Sequence, residues 1–290
     1  ISLIKNIFQP EGIFIKSISN ELEHLSIEMK ELTDDQNQAN RRIQDYPKVK
    51  ISGGPGTGKT WLAMTSALDF AKQNKKVLLL CYNINLAKFI RSQIKKIYTD
   101  QNSIDVLSFE ELIKKLSSEQ NIEYDSEQLS NEIYLNELIL LLEFKPTYNA
   151  ILIDEAQDFA LGTDWIKFLE DTLINDHEER ISLFYDDNQQ IYSENKLILK
   201  DYVAYPLETN IRNTKQIHSL VRQFYTGGKY FPKDQLDYKN PEYIFSDSFS
   251  ISIDKISEKI QKYSEELSNI VILTSNDNDK NLLLDSKLKK

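Results

Sequence analysis

Gly53-Gly54-Pro55-Gly56-Thr57-Gly58-Lys59-Thr60 fits the pattern G-x-x-x-x-G-K-[ST], and its reading decides the fold. Val49 and Ile51 before it read as the end of a buried strand, and the run Trp61 to Phe70 after it reads as a helix. A loop in that setting wraps backbone N–H groups around a polyphosphate at a helix N-terminus, where the dipole also favours negative charge. Gly53, Gly54, Pro55, Gly56, Thr57 and Gly58 would form the cradle; Lys59 would reach the β- and γ-phosphates of ATP. The Thr60 hydroxyl would help hold Mg²⁺. An ordinary Gly-rich turn is a poor alternative, because four of the chain's 8 glycines fall in this one octapeptide.

Outward from the loop, short apolar strands alternate with helices. The pattern predicts strands at Lys48–Ile51, Lys76–Tyr82, Ser103–Leu107, Ala150–Asp154, Ile181–Asp186 and Tyr202–Leu207. Helices are expected at Thr60–Gln73, Asn85–Tyr98, Phe109–Leu116 and Asp164–Leu173. That alternation implies an α/β fold with a parallel sheet covered on both faces. Residues 117–145 break the rhythm and read as a small helical insertion, with a helix over Glu127–Leu142. Residues 1–31 read as a lead-in with an amphipathic helix at Ser19–Leu32. After Thr209 the pattern gives helices at Ile217–Tyr225 and Asp254–Leu267, a turn-rich loop at Thr226–Pro241, and a strand within 269–274. The chain is thus expected to stop part-way into a second α/β domain spanning 208–290.

Ala150-Ile151-Leu152-Ile153-Asp154-Glu155-Ala156-Gln157-Asp158 is an apolar strand ending in carboxylates. Asp154 at the strand's end suits Mg²⁺, and Glu155 beside it suits a water-activating base. A surface acidic run would not normally follow four aliphatics. Ser182 to Gln189 repeats the theme, with Gln189 placed to sense a γ-phosphate.

These residues follow the motif order of another group. Lys59-Thr60, Asp154 to Asp158, Asp187-Asn188-Gln189 and Leu207 to Thr214 together resemble superfamily 1 helicases of the UvrD/Rep type. Upstream, Leu32 to Ala39 resembles their Q motif. Leu79 to Asn83 and Val106 to Glu110 resemble strand ends that contact single-stranded DNA. The resemblance implies two RecA-like domains, the first over 32–207 and the second incomplete. It also implies that Gln36 reads the adenine edge, that Arg212 reaches the γ-phosphate, and that Tyr82, Asn83, Ser108 and Phe109 meet single-stranded DNA, with Tyr192 a further stacking surface. Three departures stand out: Ile211 where the family has an aromatic, Glu110 where it commonly has His, and no likeness to the last two motifs after Thr214.

Bulk properties bound the rest. The 290 residues carry 35 Lys and Arg against 45 Asp and Glu, a net charge of −10, which argues against indiscriminate coating of nucleic acid. It leaves room for single-strand binding through a local groove. Cys81 is the lone cysteine; it fits a reducing, cytoplasmic setting and, within an apolar run, a buried structural thiol. With three His there is no zinc-type ligand set. No apolar stretch is long enough to span a bilayer, and the first ten residues lack a secretory pattern. Two functions are carried forward: the ATP-hydrolysing motor of a DNA helicase, or an ATP-gated regulatory module with a nuclease as candidate partner. A P-loop kinase fits poorly, since Gln157, Asp158, Gln189 and Arg212 are surplus to transfer onto a small acceptor.

Overall fold

Strand β1 (Lys48–Gly53) carries the loop, and its neighbours explain why the site forms where it does. The other sheet strands are β2 (Val77–Cys81), β3 (Ile104–Ser108), β4 (Ala150–Asp154), β5 (Arg180–Tyr185) and β6 (Val203–Leu207). The computed structural model describes residues 33–98, 103–129, 131–143, 145–159, 164–171, 179–186, 200–232, 240, 254–256 and 258. Its contacts divide the chain into two units, Leu32–Lys239 and a second made of Ile1–Glu31 with Asn240–Lys290. Within the second unit, Asp254, Lys255, Ile256 and Glu258 are helical, at the start of the expected helix there. The expected helix at Ser19–Leu32 and the strand at 269–274 lie outside the described residues.

The six strands form one sheet in the order β3-β2-β4-β5-β1-β6, parallel at each pairing. Parallel neighbours need long crossovers. Helix α1 (Asp34–Asp45) precedes β1, and the connections from β1 to β5 hold α2 (Lys59–Lys72), α3 (Ile84–Ile97), α4 (Phe109–Gln120), α5 (Glu132–Leu141) and α6 (Asp164–Glu170). β2 and β4 are buried at every position, as central parallel strands must be. On β6, an edge strand, Ala204 and Pro206 are exposed and only Leu207 is buried.

Side chains of successive strand residues point to opposite faces, and the core divides accordingly. Val77, Leu79, Ala150, Leu152 and Phe184 face α1, α2 and α3, through Ile43, Leu62 and Ile90 among others. Leu78, Leu80, Ile151, Ile153 and Leu183 face α4, α5 and α6, through Ile113, Leu135 and Leu169. The sheet is therefore covered on both faces. Each fully buried Leu or Phe contributes about 1.5–3 kcal/mol of transfer free energy, and both layers contain such residues.

Local signals place the element ends. Asn131 caps α5 through bonds from Ile133 N and Tyr134 N, so the helix expected from Glu127 starts five residues later, after a 3₁₀ turn at Ser126–Gln128. Helix α1 was not expected. Its signal is a capping box, with Thr33 accepting from Gln36 N and Gln36 accepting from Thr33 N.

The order of strands fixes the site. The chain leaves β1 in one direction, to β2, and crosses β1 in the other, from β5 to β6. Ligands of open α/β sheets bind outside the carboxyl ends of strands at such a reversal.

Candidate nucleotide site

The loop turns sharply after Gly53. Gly56 and Gly58 both have φ +84, a left-handed conformation that glycine adopts without cost. Thr57 braces the turn, its hydroxyl donating to Gly54 O at 2.9 Å. Gly58 is the N-cap of α2, and Lys59 opens the helix. The Lys59 ammonium is buried, donating to Gly53 O at 2.8 Å and standing 4.0 Å from Asp186 Oδ2.

Two strand ends bring carboxylates to this ammonium. Asp154 ends β4 and Asp186 follows β5, the strand lying between β4 and β1. Both aspartates are fully buried. Neither carboxylate oxygen of Asp154 has a hydrogen-bond partner among the described residues. Burial raises the Asp154 carboxyl to about 6, and the charge of Glu155 adds to this. The Thr60 hydroxyl and Lys59 pull the other way, Thr60 from a position short of good hydrogen-bond geometry. A buried carboxylate with bare oxygens, beside a hydroxyl at a helix start, is the donor set a hard cation takes when phosphate oxygens complete its shell. The residues fit Mg²⁺.

Glu155 sits at φ 53, a left-handed conformation that costs a non-glycine residue about 1–3 kcal/mol. The turn aims its side chain away from the strand line. Gln157 holds it there: Gln157 Nε2 donates to Glu155 Oε2 at 2.7 Å, and Asp186 N donates to Gln157 Oε1 at 3.1 Å. One buried amide thus ties the ends of β4 and β5. Asp158 is also raised to about 6, by burial and then by Glu155.

Residues 208–232 run as a strap across the loop. It comprises a two-residue strand β7 (Thr209–Asn210), helix α7 (Lys215–Phe224) and β8 (Phe231–Pro232), β7 and β8 pairing with each other. Ile211 N donates to Gly56 O at 2.9 Å, and Asn213 Nδ2 donates to Pro55 O at 3.2 Å. The Tyr230 hydroxyl donates to the same Pro55 carbonyl. The Tyr225 and Tyr230 rings, 4.8 Å apart, lie over Gly54, where an added Cβ would meet both. Asn210 organises the strap from inside. Its Oδ1 accepts from Arg212 N and Asn213 N, which fixes the amide orientation. Its Nδ2 therefore faces His218 Nδ1 at 3.1 Å as donor, so His218 accepts through Nδ1 and is neutral. Burial, with Arg222 nearby, lowers the His218 pKa.

The remaining sequence expectations fall as follows. Gln36 is buried; its Oε1 caps α1 and its Nε2 donates to Thr57 O at 3.0 Å. Gln36 and Ile211 both lie against Gly58. Arg212 is exposed on the strap. Gln189, like Tyr192, lies outside the described residues. Ser108 and Phe109 are buried rather than presented to solvent. Ser108 caps α4 by a capping box with Glu111, and Phe109 packs in the core. Tyr82 is half-buried, its ring stacked on Phe109 at 6.0 Å, and Asn83 is exposed as the N-cap of α3. Cys81 is buried, its thiol pushed up to about 12 by desolvation.

Sequence reasoning gave no role to Gln157, Asp186, Asn213 or Tyr230. Asp186 had a readable signal, the first polar position after an apolar strand, as at Asp154. The strap contacts had none, since they join residues about 160–175 positions apart.

A family model described as Schlafen group 3, DNA/RNA helicase domain, matches residues 48–284. The chain belongs to this family. The Schlafen-type domain also resembles solved structures at low identity. Domain III of the Thermotoga maritima replication initiation protein DnaA is 16% identical, with 60% of this chain and 59% of that one covered at a TM-score of 0.32. Arterivirus nonstructural protein 10, a helicase, is 14% identical, with 72% and 47% covered at 0.40. AMPPCP-bound DnaA from Aquifex aeolicus is 14% identical, with 94% and 59% covered at 0.29. The Schlafen-type chain spans about half to three fifths of the length of these structures. With TM-scores this low, nothing further rests on those likenesses. No curated protein matches the chain. Among the described residues no helix is long and apolar enough to cross a membrane.

Proposed function

We propose that this chain is the ATP-binding and ATP-hydrolysing part of a helicase or translocase of the UvrD/Rep type in superfamily 1, acting on single-stranded DNA in a cytoplasmic setting. One observation carries the reading: the loop lysine Lys59, the bare buried carboxylate of Asp154 and the Gln157-held Glu155 meet at the carboxyl ends of interior strands β1 and β4.

In this reading the N–H groups of Gly54 to Thr60 hold the phosphates, and Lys59 trades its carbonyl contacts for phosphate oxygens. Asp154 and Thr60 hold Mg²⁺, which when bound supplies positive charge to the transferred phosphoryl group. Glu155 takes the proton of the attacking water. Arg212 reaches in from the strap to meet transition-state charge. Gln36 and Ile211, which share Gly58, border the adenine, and Ile211 gives the base an aliphatic face in place of an aromatic one. Tyr82 and Asn83, at the end of β2, touch nucleic acid. Residues 208–290 begin the second RecA-like domain, and Gln189 senses the γ-phosphate.

Steady-state Mg-ATP hydrolysis, with and without single-stranded DNA, tests this beside Glu155→Gln. Turnover that rises with DNA and collapses in the variant is the expected result. No ATP binding, or turnover indifferent to the substitution, would sink the reading.

A second reading is favoured by the strap's bonds to Pro55 and Gly56. Here ATP binding releases the strap and signals to a partner, with a nuclease as candidate, and nothing is unwound. Strand displacement by the longest form of the protein separates the two readings.

A further inference from the structure

Helix α3 departs from the electrostatics of the chain around it. Its sequence, Ile84-Asn85-Leu86-Ala87-Lys88-Phe89-Ile90-Arg91-Ser92-Gln93-Ile94-Lys95-Lys96-Ile97, holds four cations and no carboxylate, in a chain of net charge −10. Its buried stripe is Ala87, Ile90 and Ile94, which seat it on the sheet. Arg91 is also committed, donating to Val106 O at 2.8 Å and pairing with Glu111 at 2.7 Å. The opposite stripe is exposed: Asn85, Lys88, Phe89, Ser92, Lys95 and Lys96. Among the described residues, no carboxylate pairs with Lys88, Lys95 or Lys96.

A solvated lysine face is ordinary by itself; what distinguishes this one is the aromatic ring set among the lysines. Phe89 is 54% exposed in the middle of that face. Residues three, four and seven apart are neighbours on a helix, so Lys88 lines up with Lys95, and Phe89 with Lys96. The result is an aromatic plate flanked by three unpaired ammonium groups over two turns, about 11 Å. Protein surfaces that hold single strands without sequence preference combine these two elements, cations for the backbone and π-faces for the bases.

We propose that the exposed face of α3 binds single-stranded nucleic acid, with Phe89 stacking a base and Lys88, Lys95 and Lys96 contacting phosphates. The inference rests on the reading of this chain as a nucleic-acid-dependent ATPase and locates where the strand lies. The face begins beside the ATP site. Asn83 caps α3 two residues after Cys81, and Cys81 pairs in register with Asp154.

The test is fluorescence anisotropy of labelled dT20 and U20 with the full chain, over a salt series. Its variants are Phe89→Ala and the triple substitution Lys88→Gln, Lys95→Gln, Lys96→Gln. All four positions are exposed, so melting temperature and binding of a fluorescent ATP analogue should stay at wild-type values. The triple variant should lower affinity at least tenfold and reduce the salt slope by about 2, since each lost cation removes about 0.7. Phe89→Ala should weaken binding about 5- to 160-fold with the slope unchanged, as for a lost stacking contact. The ratio of dT20 to U20 affinities assigns DNA or RNA. If the chain binds either strand and both variants match it, the surface is not the site and the proposal falls while the function stands. If the unaltered chain binds ATP but neither oligonucleotide, the nucleic-acid reading itself falls, and this surface with it.

Discussion

Asn213 donates its side-chain amide to the carbonyl of Pro55 across 3.2 Å, joining two residues 158 positions apart. The bond sets the strap's height over the loop. At Gly56, next along, an added Cβ would stand 2.5 Å from Asn210 Oδ1 and 2.7 Å from Asn213 Nδ2. Both partners are short, backbone-anchored amides with little room to move.

Gly56→Ala therefore meets two penalties, strain at φ +84 and displacement of the strap. Chemical denaturation should show a loss of about 1–3 kcal/mol, with weaker ATP binding. Gly228→Ala, where an added Cβ meets nothing within 4 Å, is the matched control and should leave both unchanged. Equal behaviour of the two variants would contradict the strap's fit.

The Asp154 carboxyl titrates at about 6 in the folded chain against an ordinary 3.8. Between those values the native state holds a proton that the unfolded state has lost, so its contribution to stability falls as pH rises from about 4 to about 6. Asp154→Asn removes this cost. Melting curves should show the variant more stable by about 1–3 kcal/mol at pH 7.5, the difference closing below pH 4. The same variant should lose the Mg²⁺-dependent part of its ATP affinity. A difference that does not vary with pH would refute the burial account.

His218 runs in the opposite sense. Its folded pKa lies below the ordinary 6.5, so its contribution is present above that value and is lost as pH falls through the lowered pKa. Protonation also puts a hydrogen on Nδ1, against the Asn210 amide. Protection factors for amide exchange in residues 209–225, with the intrinsic pH dependence of exchange divided out, should fall below pH 6, and His218→Gln should flatten that fall. Protection independent of pH in the unaltered chain would refute it.

Gln157 touches Glu155 and the backbone of Asp186 but no phosphate-binding group. Gln157→Ala should cost about 1–2 kcal/mol of stability and lower turnover about 10- to 100-fold. ATP affinity should barely change, because the loop is untouched. A variant that loses affinity and keeps turnover would assign Gln157 to binding instead.

How much of this was legible depended on distance along the chain. The loop at Gly53–Thr60 and the strand Ala150–Asp154 could be read to the residue, since each is a local pattern of apolar run and polar end. Helix α1 was missed because its apolar positions are sparse, although the box Thr33–Gln36 announces it. The helix expected at Phe109–Leu116 was legible and runs Phe109–Gln120; the capping box of Ser108 with Glu111 marks its start, and Phe109 packs in the core. The strap's helix was expected at Ile217–Tyr225 and stands at Lys215–Phe224, but its seat on the loop was not legible. Nothing near Asn213 or Tyr230 in sequence says that Pro55 is their partner.

The strap's hold on Pro55 and Gly56 gives the site a handle outside itself. Coupling between two binding events is reciprocal: by whatever factor a nucleotide loosens the strap, a ligand that lifts the strap changes nucleotide affinity by the same factor. α7 belongs to the strap and turns Ile217 and Phe224 to solvent. On the proposed switch reading, a partner that docks on that helix and lifts the strap would change nucleotide affinity from outside the phosphate-binding loop.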